Sequence, residues 1–267
     1  MKLLSGKGVQ DNLRSVLLNS GQLMDRILYS LDRRIPCSVV SVGQTEAFVM
    51  AQYTLFSEEE ILRHAEARRA NRGIKKGFNH RGIRFPNVRA RNETIQAVRN
   101  AHIVGYNTIV KTGRELADKV FRVYRLKPKF VFEANIRRVI MFSQQKKFRE
   151  MLKGRKILLI SSLAKEAKQS LERKWQKELC FDIVDAIPIY EYEEIPNVKK
   201  RILHQRDFDL CLLAAGVNAV ILSSFIANTC KRVAFDIGWG MKSLITGKVV
   251  EDMWLVSRIG LDRIMRM

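Results

Sequence analysis

The sequence is poor in the residues that build the commonest metal and redox sites. Its 267 residues include four cysteines (Cys37, Cys180, Cys211, Cys230) and four histidines (His64, His80, His102, His204). The cysteines form no CxxC pair and no zinc spacing. Three of them lie in or beside apolar runs, where reduced cysteine behaves as a small buried hydrophobe. With no HxH or HExxH, a histidine zinc site is not expected. No GxSxG or Cys/His signature of a hydrolase is present. The amino-terminal MKLLSGKGVQDNL has no apolar core of signal-peptide length, so a cytoplasmic protein is expected. The longest uncharged stretch, Leu210 to Cys230, has the 21 residues a bilayer span needs. Gly216, Asn218, Ser223, Ser224, Asn228 and Thr229 interrupt it, and it reads as a buried strand plus a helix.

Acidic residues are also scarce, with 27 Asp+Glu against 48 Lys+Arg, a formal charge of +21. The pI is near 10.2. Such a field favours polyanionic partners: nucleic acid, an anionic membrane, a phosphorylated glycan or a nucleotide. Otherwise the composition, 46% hydrophobic and 28% charged, is that of a globular protein. It excludes disorder, collagen and pure coiled coil. The length suits one large domain or two small ones, and no internal repeat or low-complexity tract appears.

Residues 10–34 read as a helix, with Leu13, Val16, Leu17, Leu23, Ile27 and Leu31 at helical spacing. Strands are expected at 37–42, 102–106, 130–133, 156–161, 181–188, 209–214 and 232–237. Helices are expected at 46–53, from a capping box at Ser57, and at 92–100, 115–125 and 142–153. Further helices follow from the strand at 156–161 to about Leu179, then at 198–205, 218–229 and beyond Lys242. Continuous apolar strands alternating with helices predict an α/β fold: a mostly parallel, Rossmann-like sheet with helices on both faces. The expected organisation is an N-terminal helical segment (1–34), one α/β domain (35–250, in halves of about 35–150 and 151–250) and a helical tail (251–267).

Ligands of open α/β sheets bind beyond the carboxyl ends of strands, and three turns qualify. In Ser41-Val42-Gly43-Gln44-Thr45-Glu46, Gly43 permits a tight turn or a close ligand approach. Three roles fit Glu46: divalent-cation ligand, base, or carboxylate favouring a helix amino end. Ala214 to Ala219 is a small-residue turn entering an apolar helix. It suits either an anion, held by Gly216, Asn218 and Ala219, or close helix–sheet packing. In Phe235-Asp236-Ile237-Gly238-Trp239-Gly240, Asp236 fits a ribose hydroxyl, a metal or a backbone amide. Trp239 suits stacking on a base or sugar, or the core. Separately, residues 63–91 carry ten cations (Arg63, Arg68, Arg69, Arg72, Lys75, Lys76, Arg81, Arg84, Arg89, Arg91) and one acid, Glu66. The second half reads as a loop in which Arg81, Arg84, Arg91 and Asn87 are candidate phosphate contacts; the alternative is a solvated basic face.

Taken in order, these segments resemble bacterial glycosyltransferases of the GT-D fold. The carrying stretches are CSVVSVGQTEAFVMAQ (37–52), RFPNVRARNETIQAVRNAHIVGY (84–106), GRKILLIS (154–161), FDLCLLAAGVNAVILSSFIA (208–227) and KRVAFDIGWGMKSLI (231–245). The resemblance implies transfer from a nucleotide sugar, UDP-sugar by default. The acceptor would be a surface glycan, a polymer or a protein. It also implies Mn2+ or Mg2+ held by an Asp-x-Glu pair, and a donor pocket completed by the Gly–Asn and DIG turns. This chain departs from the pattern. Ser41 stands where arginine is usual, Gln44 and Thr45 replace aspartate and glycine, and Trp239 stands where some relatives have histidine. Only Glu46 remains of the acidic pair, and Gln44 offers a neutral carbonyl. The resemblance therefore divides into a metal-independent enzyme, with Lys and Arg neutralising the diphosphate, and a degenerate site that binds sugar nucleotide or anionic polymer without turnover. A non-specific nucleic-acid binder rests on charge alone, since no sequence-reading motif is present. Docking at the inner membrane face and a homo-oligomer complete the expectations.

Overall fold

The computed structural model describes residues 17–72, 82–251, 253 and 255–267. Its centre is an eight-stranded sheet in the order β1-β4-β3-β2-β8-β7-β5-β6. The strands are β1 (Leu17–Leu18), β2 (Cys37–Val42), β3 (Ile103–Tyr106), β4 (Phe130–Glu133), β5 (Lys156–Ser161), β6 (Asp182–Ile187), β7 (Leu210–Ala214) and β8 (Val233–Asp236). Every neighbouring pair is parallel, so all the strands end on one rim. Strands covered on both faces show unbroken apolar runs instead of alternation, and all of β2 is buried. The sheet draws strands from both halves of the chain, with β2 and β8 as the seam.

The helices flanking the sheet are α1 (Ser20–Asp32), α2 (Gln44–Ala51), α3 (Val88–Arg99), α4 (Lys111–Val123), α5 (Gln145–Leu152), α6 (Ala164–Leu171), α7 (Ile195–His204), α8 (Val217–Phe225) and α9 (Gly240–Thr246). One apolar layer joins α2, α3, α4, α7 and α8 to the sheet through Val49, Val98, Val120, Val198 and Leu222. The opposite layer joins α1, α5, α6 and α9 through Ile27, Met151, Ala167 and Leu244. The tail helix Leu261–Met265 closes a smaller cluster of Val139, Leu255, Ile259 and Ile264. Among the described residues no helix is long and apolar enough to cross a membrane. The uncharged run from Leu210 is β7, α8 and the π-turn Ile226–Cys230.

Two expectations need correction. Leu17–Leu18, placed in the first helix by apolar spacing, is instead an edge strand on β4. Asn19 accepts from the Gln22 N–H at 2.8 Å while Gln22 Oε1 accepts from the Asn19 N–H at 3.0 Å. This reciprocal cap starts the helix at Ser20 and leaves the preceding residues extended. Residues 10–16 of that expectation lie outside the described residues. The helix expected at 92–100 begins at Val88, because the Asn87 side chain accepts from the Ala90 N–H at 2.8 Å. Arg89 and Arg91 are therefore helical, not loop residues.

Candidate functional site

Adjacent strands whose following helices turn to opposite faces leave a crevice at their carboxyl ends. Here β2 leads into α2 on one face, and its neighbour β8 leads into α9 on the other. On the far side of β8, β7 leads into α8, which packs against β2, β8 and α2. The three turns singled out in the sequence are thus next-door neighbours on one rim. Glu46, Asp236 and Asn218 all lie there, and all are buried.

Glu46 sits in the first turn of α2 and folds back to accept from the Gly43 N–H at 2.9 Å. A Cβ on Gly43 would stand 2.9 Å from Glu46 Oε2, so glycine here leaves room for the carboxylate. Burial pushes the Glu46 carboxyl above the usual carboxylate range; the Arg137 guanidinium opposes this and the Asp236 charge reinforces it. Thr45 donates to the buried Glu66 carboxylate at 2.9 Å, which ties the turn to the Ala65–Asn71 helix. Gln44 is exposed.

Asp236 ends β8. Its Oδ2 accepts from Arg137 Nη1, and its Oδ1 accepts from the Gly238 N–H at 3.0 Å. Burial raises its pKa, while Arg137, Gly238 and the Ser41 N–H pull it back. Arg137 belongs to the 3-10 turn Ala134–Arg138 that follows β4. It therefore reaches across the ends of β3 and β2 to the end of β8. Its approach explains two glycines. A Cβ on Gly238 (φ +47°) would lie 2.7 Å from Arg137 Cζ, and one on Gly240 would lie 2.6 Å from the Arg137 carbonyl oxygen. The GxG spacing of the third turn makes room for Arg137. Arg137 itself was not anticipated, although the turn after an expected strand at 130–133 must open on the same rim as the others.

The Gly216 turn is more self-contained than an open anion site. Gly216 takes a left-handed φ of +55°. The Asn218 N–H bonds to Ala215 O at 3.2 Å, and the Ala219 N–H to Gly216 O at 3.0 Å. Asn218 Nδ2 donates to Gly82 O at 3.0 Å, so this side chain fastens the segment before α3 to the rim. Its buried Oδ1 has no partner. The Ser41 hydroxyl, where the resemblance expects arginine, is likewise buried and unpartnered. Trp239 is 38% exposed at the edge of the third turn. Arg138 and Lys242 lie over its ring, 5.9 and 6.0 Å from the centroid.

Two arginines of the basic stretch bond within the scaffold. Arg84 donates to Ala70 O and to Glu191. Arg91 donates to Gln52 O at 3.0 Å and to Asn92 at 3.0 Å. Asn87 caps α3, and its backbone is clasped by Gln52. Arg81 lies outside the described residues. The donor set fits a divalent cation poorly. Glu46 and Asp236 face a fixed guanidinium, and Gln44 is neutral and exposed. Among the described residues no three His, Cys, Asp or Glu side chains are grouped to hold a metal. A groove of about 390 Å3 lies along α3, α7 and α8, lined by Gln96, Asn100, Lys199, Phe225 and Asn228; none of the candidate residues lines it.

The signature of the GT-D fold-like domain matches residues 18–244. Among solved structures, the chain is similar to a domain of unknown function 1792 described as having a distinct glycosyltransferase fold. The TM-score is 0.57 at 12% identity, covering 92% of this chain and 88% of that one. It is also similar to a glycosyltransferase of the same domain type from Streptococcus sanguinis, with a TM-score of 0.56 at 13% identity over 89% and 87% of the two chains. No curated protein sequence matches.

Proposed function

The chain belongs to the GT-D fold-like domain family, and from that premise we propose that it transfers a sugar from a nucleotide-activated donor to an acceptor hydroxyl. The observation carrying this reading is the meeting of the Glu46, Asp236–Arg137 and Asn218 turns at one mouth of a parallel sheet. The donor is a UDP-sugar. The acceptor is a surface glycan, a polymer or a protein side chain, and an anionic membrane would bring lipid-linked acceptors to the basic surface.

In such a transfer the bond between sugar C1 and the β-phosphate oxygen breaks, and its electron pair leaves with the diphosphate. The acceptor oxygen bonds to C1 and gives up its proton. Glu46 is the base for that proton: burial raises its basicity, and the Gly43 N–H fixes its orientation. Asp236 is a positioning residue, since both its oxygens are engaged within the fold and one of them holds Arg137. Trp239 offers a partly exposed ring to the donor base or sugar.

Release of UDP from a panel of UDP-sugars tests the reading. Glu46→Ala removes release while the circular dichroism spectrum stays unchanged; full turnover by this variant rejects the assignment. The loss of the acidic partner at the exposed, neutral Gln44 favours a second reading, a relative that binds UDP-sugar without turnover. Calorimetric binding with no product under any metal would select it.

A further inference from the structure

We propose that Arg137 is the site's built-in cation and that the protein holds the donor diphosphate without a divalent metal. This rests on the nucleotide-sugar reading above. Transfer leaves negative charge on the departing diphosphate, and a fixed positive group beside it lowers the barrier. The rim carries such a group already. Arg137 crosses the mouths of β3 and β2, is locked by Asp236, and is admitted by the side-chain-free faces of Gly238 and Gly240. These glycines are informative, because any side chain at either position would displace the arginine.

A metal would need these carboxylates, beside which Arg137 already stands. Asp236 is bonded to the guanidinium, and Glu46 feels its charge more strongly than that of any other residue. A divalent ion placed among them would face a fixed positive charge at close range. The side chain is nevertheless not sealed in, for 17% of it remains exposed. Its other N–H groups form a planar fork suited to paired phosphate oxygens, a geometry lysine lacks. The leaving oxygen takes the C1–O electron pair and is stabilised by this fork, while the acceptor proton goes to Glu46.

The test is calorimetric titration of UDP into the full chain, with EDTA and with Mn2+, for wild type, Arg137→Lys and Arg137→Gln. The expected result is wild-type affinity that is the same in both buffers. Affinity falls about 10- to 100-fold in Arg137→Gln, the scale of losing charged hydrogen bonds. Arg137→Lys keeps the charge but not the fork, and binds between the two. Because Arg137→Gln removes a buried pair, its fold is checked by circular dichroism; the wild-type chelation comparison and the lysine variant stand without it. Mn2+ bound by the wild type alone, or UDP binding that collapses on chelation, overturns the proposal and leaves the nucleotide-sugar reading intact. No UDP binding in either buffer overturns both.

Discussion

Replacing Glu46 with glutamine should raise stability and remove activity together. Glu46, Asp236 and Arg137 place two carboxylates and one guanidinium in the buried rim, so one negative charge lacks a counterion among the three. Glutamine keeps the shape and can accept the Gly43 N–H, which is the direct contact Glu46 makes there. It gives up the stronger, charge-assisted version of that bond and the pull of Arg137, but it removes the cost of burying an ion. The balance is about 1 kcal/mol in favour of the variant, the low end of the gain found when buried ionic groups give way to uncharged ones. For a chain of this size that is a rise in Tm of about 2–4 °C.

The effect depends on pH with a definite sign. The carboxyl's folded pKa is raised, so the folded state holds its proton more tightly than the unfolded state does. The contribution to stability is complete below the unfolded value of about 4.3 and is lost as pH rises through the folded value. Wild type and variant should therefore match at low pH and diverge as pH rises. Urea melts at several pH values, together with UDP-release rates, supply the readout. The expected loss in rate is about 10^2- to 10^4-fold, the usual contribution of a general base. A variant less stable than wild type at pH 8, or a difference that does not change with pH, would show that the Glu46 charge carries no net cost in the folded protein.

Gly238→Ala should cost about 1–3 kcal/mol, because the added methyl meets Arg137 Cζ at 2.7 Å and the residue holds φ +47°. Urea denaturation measures the loss, and UDP affinity should fall with it. Asn218→Ala should lower stability by about 1–3 kcal/mol, since the Gly82 carbonyl loses its donor in a buried setting; an unchanged melt would show that the clasp is idle. Burial lifts the Asp118 carboxyl, which accepts from the Tyr106 hydroxyl, to about 6. Stability should thus decline as pH rises from about 4 to that value, and Asp118→Asn should flatten the decline. Nucleic-acid binding, if measured by gel shift, should be weak at physiological salt, fall steeply with added salt and ignore sequence.

The fold was legible where its chemistry repeats. Runs such as Ile157–Ile160 and Leu210–Leu213 are apolar without interruption because helices cover both faces, and that pattern is specific to buried parallel strands. Leu17–Leu18 was not legible: two residues pairing with one neighbour leave no periodicity of their own and fall within the spacing of a helix. The three rim turns were found because glycine and a polar residue followed each apolar strand. What each polar residue bonds to was hidden, since capping, metal binding and base catalysis all call for a carboxylate at the same place. Arg84 and Arg91 read as phosphate candidates from their charge, and the bonds they make to the Ala70 and Gln52 carbonyls leave no mark in the sequence. Arg137 is one cation among 48. Only its reach to Asp236, across two intervening strands, distinguishes it.

A crystal structure with UDP bound decides whether the rim of β2 and β8 is the donor site. The diphosphate is expected at the ends of β2 and β8, within hydrogen-bonding distance of the Arg137 guanidinium and beside Glu46. UDP seated instead in the groove along α3, α7 and α8 would remove Arg137 and Glu46 from the reaction.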